Sequence, residues 1–81
     1  MRLIPLQSSN VAGIAYNQDE KELIVQFTNG TFYRYRPVPG DVVLSVLFDP
    51  DSQGKAFNAK IKDAIYPYVK IENPELLNLH V

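Results

Sequence analysis

The first half of the chain alternates apolar and polar residues, whereas the second half repeats its apolar residues at helical spacing. Val11 to Tyr16 alternates weakly and reads as a first strand, closed by the polar turn Asn17-Gln18-Asp19-Glu20. Glu22 to Phe27 alternates well. Leu23, Val25 and Phe27 point one way, Ile24 and Gln26 the other. After Thr28-Asn29-Gly30, residues Thr31 to Arg36 make a third strand rich in aromatic and β-prone side chains, ended by Pro37 and Pro39. Loop length sets the register. A two-residue Asn29-Gly30 loop would set Val25 against Arg34 and Leu23 against Arg36, placing charge on the apolar face. A three-residue loop with Gly30 left-handed pairs Val25 with Tyr33, Leu23 with Tyr35, Gln26 with Phe32 and Ile24 with Arg34. The three-residue loop is preferred because it leaves one clean apolar face.

Pro39 suits the first turn of a helix and Asp41 its positive end. From Asp41 to Asp49 only positions 41, 45 and 49 are polar, so the pattern predicts one narrow solvent stripe with the rest covered. Asp49-Pro50-Asp51 breaks this helix, and Ser52 is an N-cap for a second. Phe57, Ile61, Ala64 and Ile65 share one face of it, Lys55, Asn58 and Lys62 the opposite face, and Pro67 stops it. Tyr68 to Ile71 reads as extended, and Asn73-Pro74-Glu75 as the start of a last short helical turn.

Strands first and helices second predict an α+β fold: a three-stranded antiparallel meander followed by two helices packed on one face, with an extended C-terminal tail. The expected core is Ile14, Tyr16, Leu23, Val25, Phe27, Tyr33, Tyr35, Val43, Leu47, Phe57, Ile61 and Ile65. At 81 residues the chain, residues 1–81, makes a single domain, with no linker or internal repeat. Eight Lys+Arg against nine Asp+Glu exclude a histone-like polycation. The absence of cysteine excludes disulfides and thiolate metal sites. A single histidine, His80, leaves no Ser-His-Asp triad or two-histidine metal motif, and its place beside the C-terminus predicts disorder. Neither a signal-peptide core in residues 1–7 nor a membrane-length apolar run is visible, so the expected location is the cytoplasm.

Several segments together resemble one family. They are Ser8-Ser9 leading into Ile14-Ala15-Tyr16, then Phe27-Thr28-Asn29-Gly30, Tyr33-Arg34-Tyr35, Val38-Pro39, and Ser52-Gln53-Gly54-Lys55-Ala56-Phe57-Asn58 with Ile61. In order and spacing they are similar to the KTSC domain, found at the C-terminus of some lysyl-tRNA synthetases and as stand-alone small proteins. The resemblance spans roughly residues 8–66 and leaves the tail, 67–81, outside it. It implies an RNA-binding module with no catalytic residues, and no cofactor is expected.

Two surfaces follow from the residues themselves. The first is the second sheet face, with Ile24, Gln26, Phe32, Arg34 and Arg36 beside a shallow trough at Gly13 and Ala15. Arg34 and Arg36 would hold phosphates of single-stranded nucleic acid while Phe32 stacks a base. The competing and preferred reading packs Val69, Ile71, Leu76 and Leu77 of the tail over Ile24 and Phe32, leaving the arginines as solubilising edge charges. The second surface is the start of the second helix, where Ser52, Gly54, Lys55, Asn58 and Lys62 would bind an anion. Residues 52–70 carry four Lys against one Asp. Ordinary capping is the stronger reading there, since Asp49 and Asp51 would repel a phosphate. Tyr33 and Tyr35 are assigned to the core. Asp49, Asp51 and Asp63 lack the ligand count and glycine of a calcium loop, and Ser8-Ser9 has no base nearby.

The expected function is a small non-enzymatic binding module for RNA or another single-stranded nucleic acid, with weak, salt-sensitive affinity. The alternative is a protein–protein adaptor, or an inhibitor of a partner enzyme, acting through the sheet face or the apolar tail. Oligomeric state is open at this stage.

Overall fold

A computed structural model describes residues 1–80; Val81, the last residue of the predicted tail, lies outside the described residues. The chain runs β1 (Ile4–Pro5), β2 (Val11–Asn17), β3 (Glu22–Phe27), β4 (Phe32–Tyr35), α1 (Gly40–Leu47), α2 (Gln53–Phe57) and β5 (Tyr68–Ile71). A π-helical turn, Asn58–Lys62, continues α2, and a 3-10 turn, Pro74–Leu77, follows β5. The sheet has five antiparallel strands in the order β1-β2-β3-β4-β5. The α+β class therefore holds, but the meander is extended by a strand at each edge.

The predicted register of β3 and β4 is the observed one: Leu23 faces Tyr35, Val25 faces Tyr33, Ile24 faces Arg34 and Gln26 faces Phe32. Gly30 takes φ 92°, and its N–H donates to the Phe27 carbonyl at 2.9 Å, closing the loop as the apolar face required. At the preceding turn, the Asn17 side chain accepts from the N–H groups of Asp19 and Glu20.

The helices pack on the face that carries Leu23, Val25 and Tyr35. Their buried residues are Val43 and Val46 of α1, Ala56 and Phe57 of α2, and Ile61 of the π turn. Leu6, Val11, Val38, Val46 and Ala56 join this core from outside the expected set, and Tyr16, Phe27, Tyr33 and Leu47 lie at its margin.

Two helical expectations fail for identifiable reasons. The second helix stops at Lys62 instead of reaching Pro67, and its last turn is wide: the Asp63 N–H donates to the Asn58 carbonyl five residues back at 2.8 Å. A wide turn rotates the following residues off the α-helical face. Ile65, expected beside Ile61 in the core, is 98% exposed. In α1, the narrow solvent stripe is too narrow. Leu44 is 55% and Phe48 77% exposed, because only the Val43/Val46 side meets the sheet. Ser45 is half-buried and donates to the Val42 carbonyl.

The tail's extended segment becomes β5, setting Ile71 beside Phe32 and Val69 beside Arg34. The tail then leaves the β5 edge and reaches the N-terminal segment beside β1 at the opposite edge of the sheet, where His80 bridges Arg2. Ile71 and Leu77 are half-buried, and Ile24 on the second face is fully buried, as the tail-packing reading expected. Val69 and Leu76 remain largely exposed. The N-terminal segment also meets this face: a Cβ on Gly13 would lie 3.1 Å from Leu3 Cγ, so Leu3 sits over the Gly13 part of the predicted trough. His80 is ordered, not frayed. Its carbonyl accepts from Leu3 N–H at 2.6 Å and its N–H donates to the Met1 carbonyl at 3.1 Å, tying the two ends together.

Candidate functional site

The residues of the first predicted surface are already engaged. Arg34 Nε lies 2.7 Å from Glu22 Oε2, a close ion pair without the alignment of a hydrogen bond. Arg36 donates from its guanidinium to Glu20 Oε2 at 2.9 Å. Ile24 is fully buried and Phe32 half-buried between its strand neighbours. This face is not an open aromatic platform flanked by free cations, and the arginines sit beside acids as edge charges.

The second predicted surface separates into parts. Ser52 caps α2 by accepting from the Lys55 N–H at 3.1 Å. Gly54 is packed against Ser8: a Cβ there would lie 3.0 Å from Ser8 Oγ and 3.1 Å from Ser8 Cβ. Ser8 Oγ accepts from the N–H groups of Asn10 and Val11 and donates to Asn10 Oδ1. Between them, Gln53 Oε1 accepts from Gln7 N–H while its amide donates to the Leu47 carbonyl. The Ser8 and Ser52-Gln53-Gly54 motifs therefore join the N-terminal segment to the helix pair, which is a structural role. A hollow of about 480 Å³ beside Ser52 is lined by Asp49 and Asp51. The N–H groups of Ser52 and Asp51 hold the Asp49 carboxyl below its usual pKa, so the hollow presents negative charge. Lys55 is exposed. Asn58, at the α-to-π junction, keeps a buried side-chain oxygen without a partner. Lys62 goes elsewhere.

Lys62 lines an aromatic cleft that the sequence reading missed. The cleft encloses about 360 Å³ among Phe27, Tyr33, Tyr35 and Tyr68, with Asn29 and Thr31 at one end and Lys62 and Asp63 at the other. It forms because β5 widens the sheet beyond the helix pair: Phe57 covers Tyr35 of β4, while Tyr68 of β5 stays largely exposed. Tyr68 packs against both β4 tyrosines, with ring centroids 5.7 Å from Tyr33 and 5.5 Å from Tyr35. Phe27 meets Tyr33 edge-on at 5.5 Å. Tyr35 is buried, and burial first, then the neighbouring Tyr68 and Tyr33 hydroxyls, push its pKa up. Tyr68 is 60% exposed and forms the open wall. Lys70 stands directly opposite Tyr33, so it shares that face. The available signal was the alternation in Tyr68-Val69-Lys70-Ile71, read as extended but not as a partner for β4.

Asn29 Oδ1 accepts from the Thr31 N–H and hydroxyl, which fixes the polar end of the cleft and leaves the Asn29 amide as a donor. Ring faces with a lysine and a carboxylate together at one end and the Asn29 amide at the other can bind a flat, polar-edged molecule. No group of three or more His, Cys, Asp or Glu residues suited to a metal occurs among the described residues. Among them, no helix is long and apolar enough to cross a membrane.

Known proteins align with this arrangement. Residues 7–69 match the KTSC domain model, which reaches past the expected boundary at residue 66 into the start of β5. An uncharacterized protein of Stutzerimonas stutzeri (strain A1501) is 38% identical over 72 residues, covering 89% of this chain and all of its own length. The crystal structure of a KTSC domain protein from Yersinia pestis superposes with a TM-score of 0.73 at 30% identity, covering 85% of this chain and 94% of its own. The Ser8, Tyr33-Arg34-Tyr35 and Ser52-Gln53-Gly54 segments all fall inside the matched span, and the chain belongs to the KTSC domain family.

Proposed function

We propose that this chain is a small, non-enzymatic binding module for single-stranded nucleic acid, RNA foremost, and that the tyrosine cleft is its contact surface. The observation that carries this reading is the joining of Tyr33, Tyr35 and Tyr68 into one partly open aromatic wall with Lys62 at its lip and Lys70 on the same face. Stacking a base on such a ring contributes about 1–3 kcal/mol and tolerates any sequence. The lysines supply phosphate contacts, and the Asn29 amide and Asp63 carboxylate offer a donor and an acceptor to a base edge. Two lysine–phosphate contacts give a slope of log K against log salt of about −1.4, which makes binding weak and salt-sensitive. A net charge of −1 fits that weakness. On this reading the ligand is held without covalent change.

An amide-shift titration of the labelled protein with short single-stranded RNA and DNA, at low and moderate salt, tests the reading. The expected shifts cluster on Tyr33, Tyr35, Lys62, Tyr68 and Lys70, fade as salt rises, and weaken in Tyr68→Ala and Lys62→Ala. Both positions are exposed, so both variants are expected to fold, which their amide spectra check. Silence at high oligonucleotide concentration removes the nucleic-acid function. Shifts confined to Phe32, Arg34 and Arg36 remove the cleft as the site.

A further inference from the structure

At the opposite edge of the sheet from the tyrosine cleft, on the same face, α1 leaves a second opening. It encloses about 540 Å³ and is lined by Ile4, Ile14, Tyr16, Val43, Leu44 and Leu47, with Gln18 and Asp41 as its polar rim. That volume falls within the range of about 300–1,000 Å³ typical of ligand-sized sites. Leu44 and Ile4 stand open on either side, and Phe48, which caps the C-terminus of α1, is 77% exposed. Apolar side chains of this size, contiguous and uncovered, mark a contact surface and not a solvated one.

The rest of the surface narrows the occupant. Strand addition does not fit the β1 side: β1 has two residues, and one of them, Pro5, has no N–H to give. Recognition there must come from side chains entering the groove, the mode in which an amphipathic helix lays its apolar face between two ridges. Charge decides the flanks. Asp41 lies at the start of α1, Asp49 and Asp51 just beyond its end, and Asp19 next to Gln18; no basic side chain lines the opening. A second copy of the chain fits poorly, because antiparallel α1 helices would set Asp41 of each against Asp49 of the other. We propose that this groove docks an amphipathic helix of another protein whose apolar face is bounded by lysine or arginine. The occupant's leucine-sized residues fill the space between Ile4 and Leu44, Phe48 packs over its end, and its basic flanks meet Asp41 and Asp49. The tyrosine cleft stays free, so one small domain can hold two different partners side by side.

The test uses the full chain, labelled for amide shifts, and two synthetic amphipathic peptides of about 16 residues with leucines at helical spacing. One peptide carries lysines at both ends and its twin carries glutamates. The lysine peptide is expected to give saturable shifts on Ile4, Tyr16, Leu44, Leu47 and Phe48. Leu44→Ser, at an exposed position that preserves the melting temperature, is expected to weaken it at least about tenfold, and the glutamate twin to bind at least about tenfold more weakly than the lysine peptide. Equal binding of the two peptides, shifts away from this groove, or no binding overturns the proposal. So does sedimentation showing a dimer that Leu44→Ser dissociates, since the occupant is then a second copy.

Discussion

Replacing Gly13 by alanine puts a methyl group where the backbone of β1 already sits. The added carbon would lie 2.8 Å from the Ile4 carbonyl oxygen, 3.4 Å from the Ile4 carbonyl carbon and 3.1 Å from Leu3 Cγ. Carbon atoms pack at about 3.5–4.0 Å, so β1 must recede by roughly half an ångström or more. A flexible side chain could swing aside, but a strand backbone held to β2 through the Ile4–Ile14 and Pro5–Gly13 pairs cannot do so without weakening that pairing. Overpacking of this kind costs about 1–3 kcal/mol. Against it, alanine removes glycine's excess unfolded-state freedom, a gain of about 0.5–1 kcal/mol. The clash wins, and the net loss is about 1–2 kcal/mol, or a melting temperature lower by about 5–15 °C for a domain of this size. Circular-dichroism melts measure it directly. A second background isolates the cause. With residues 2–5 deleted nothing opposes the methyl group, and Gly13→Ala should there be neutral or stabilising by about 0.5 kcal/mol. A wild-type melting temperature for Gly13→Ala in the full chain would refute the close approach, and an equal loss in the shortened chain would refute its assignment to β1.

Ile65→Ser should change stability by no more than about 0.5 kcal/mol, whereas Ile61→Ala should cost about 2–5 kcal/mol; comparable losses in urea melts would mean the π turn does not divide them. Arg34→Ala strands the Glu22 carboxylate, whose side chain is only 16% exposed, and should cost about 1–2 kcal/mol; the Glu22→Gln/Arg34→Ala double variant should recover part of it. The lowered pKa of Asp49 means that its stabilisation is fully present above the ordinary carboxylate range and is lost as pH falls through its folded-state value; Asp49→Asn should flatten that part of the acid limb of stability against pH. The raised pKa of Tyr35 works the other way: stability is unaffected below the ordinary tyrosine value near 10.0 and falls as pH rises through the folded value, and a Tyr35→Phe variant should lose less in that alkaline range.

The hairpin of β3 and β4 was legible because a single constraint fixes it. A strand's side chains alternate with period two, so only one loop length keeps Leu23, Val25, Tyr33 and Tyr35 together, and Gly30 supplies the backbone that loop needs. The two edge strands were not legible for opposite reasons. Ile4-Pro5 is too short to carry a period at all. Tyr68–Ile71 alternates, but its partner is β4, more than thirty residues earlier along the chain, and local pattern cannot choose a distant partner. The π turn was invisible because its hydrogen bond replaces an α-helical one with no change in residue type: Phe57, Ile61 and Ile65 keep a helical spacing that the backbone no longer follows.

The same limit explains why the charged candidates failed and the aromatic ones were overlooked. Arg34 and Arg36 look free in one dimension, yet Glu22 and Glu20 precede them by 12 and 16 residues, and folding β3 against β4 closes each pair. Tyr33 and Tyr35 share a face with Leu23 and Val25, which correctly predicts that Tyr35 is buried but says nothing of what lies beyond it. Whether that face ends in core or in a cleft depends on how far the helix pair covers the sheet that β5 widens. Had the helix continued to Pro67 with α-helical geometry, Ile65 would have stayed on the face that carries Phe57 and Ile61, toward the sheet. By ending at Lys62, the π turn sends Ile65 outward, while Tyr68 of β5 stays largely exposed. The misplaced core residue therefore traces to the π turn and the missed site to β5, and Lys62 both ends that turn and lines that cleft. Restoring α-helical geometry through residue 66 should bury Ile65, and a variant that keeps Ile65 exposed would refute the π turn as the cause.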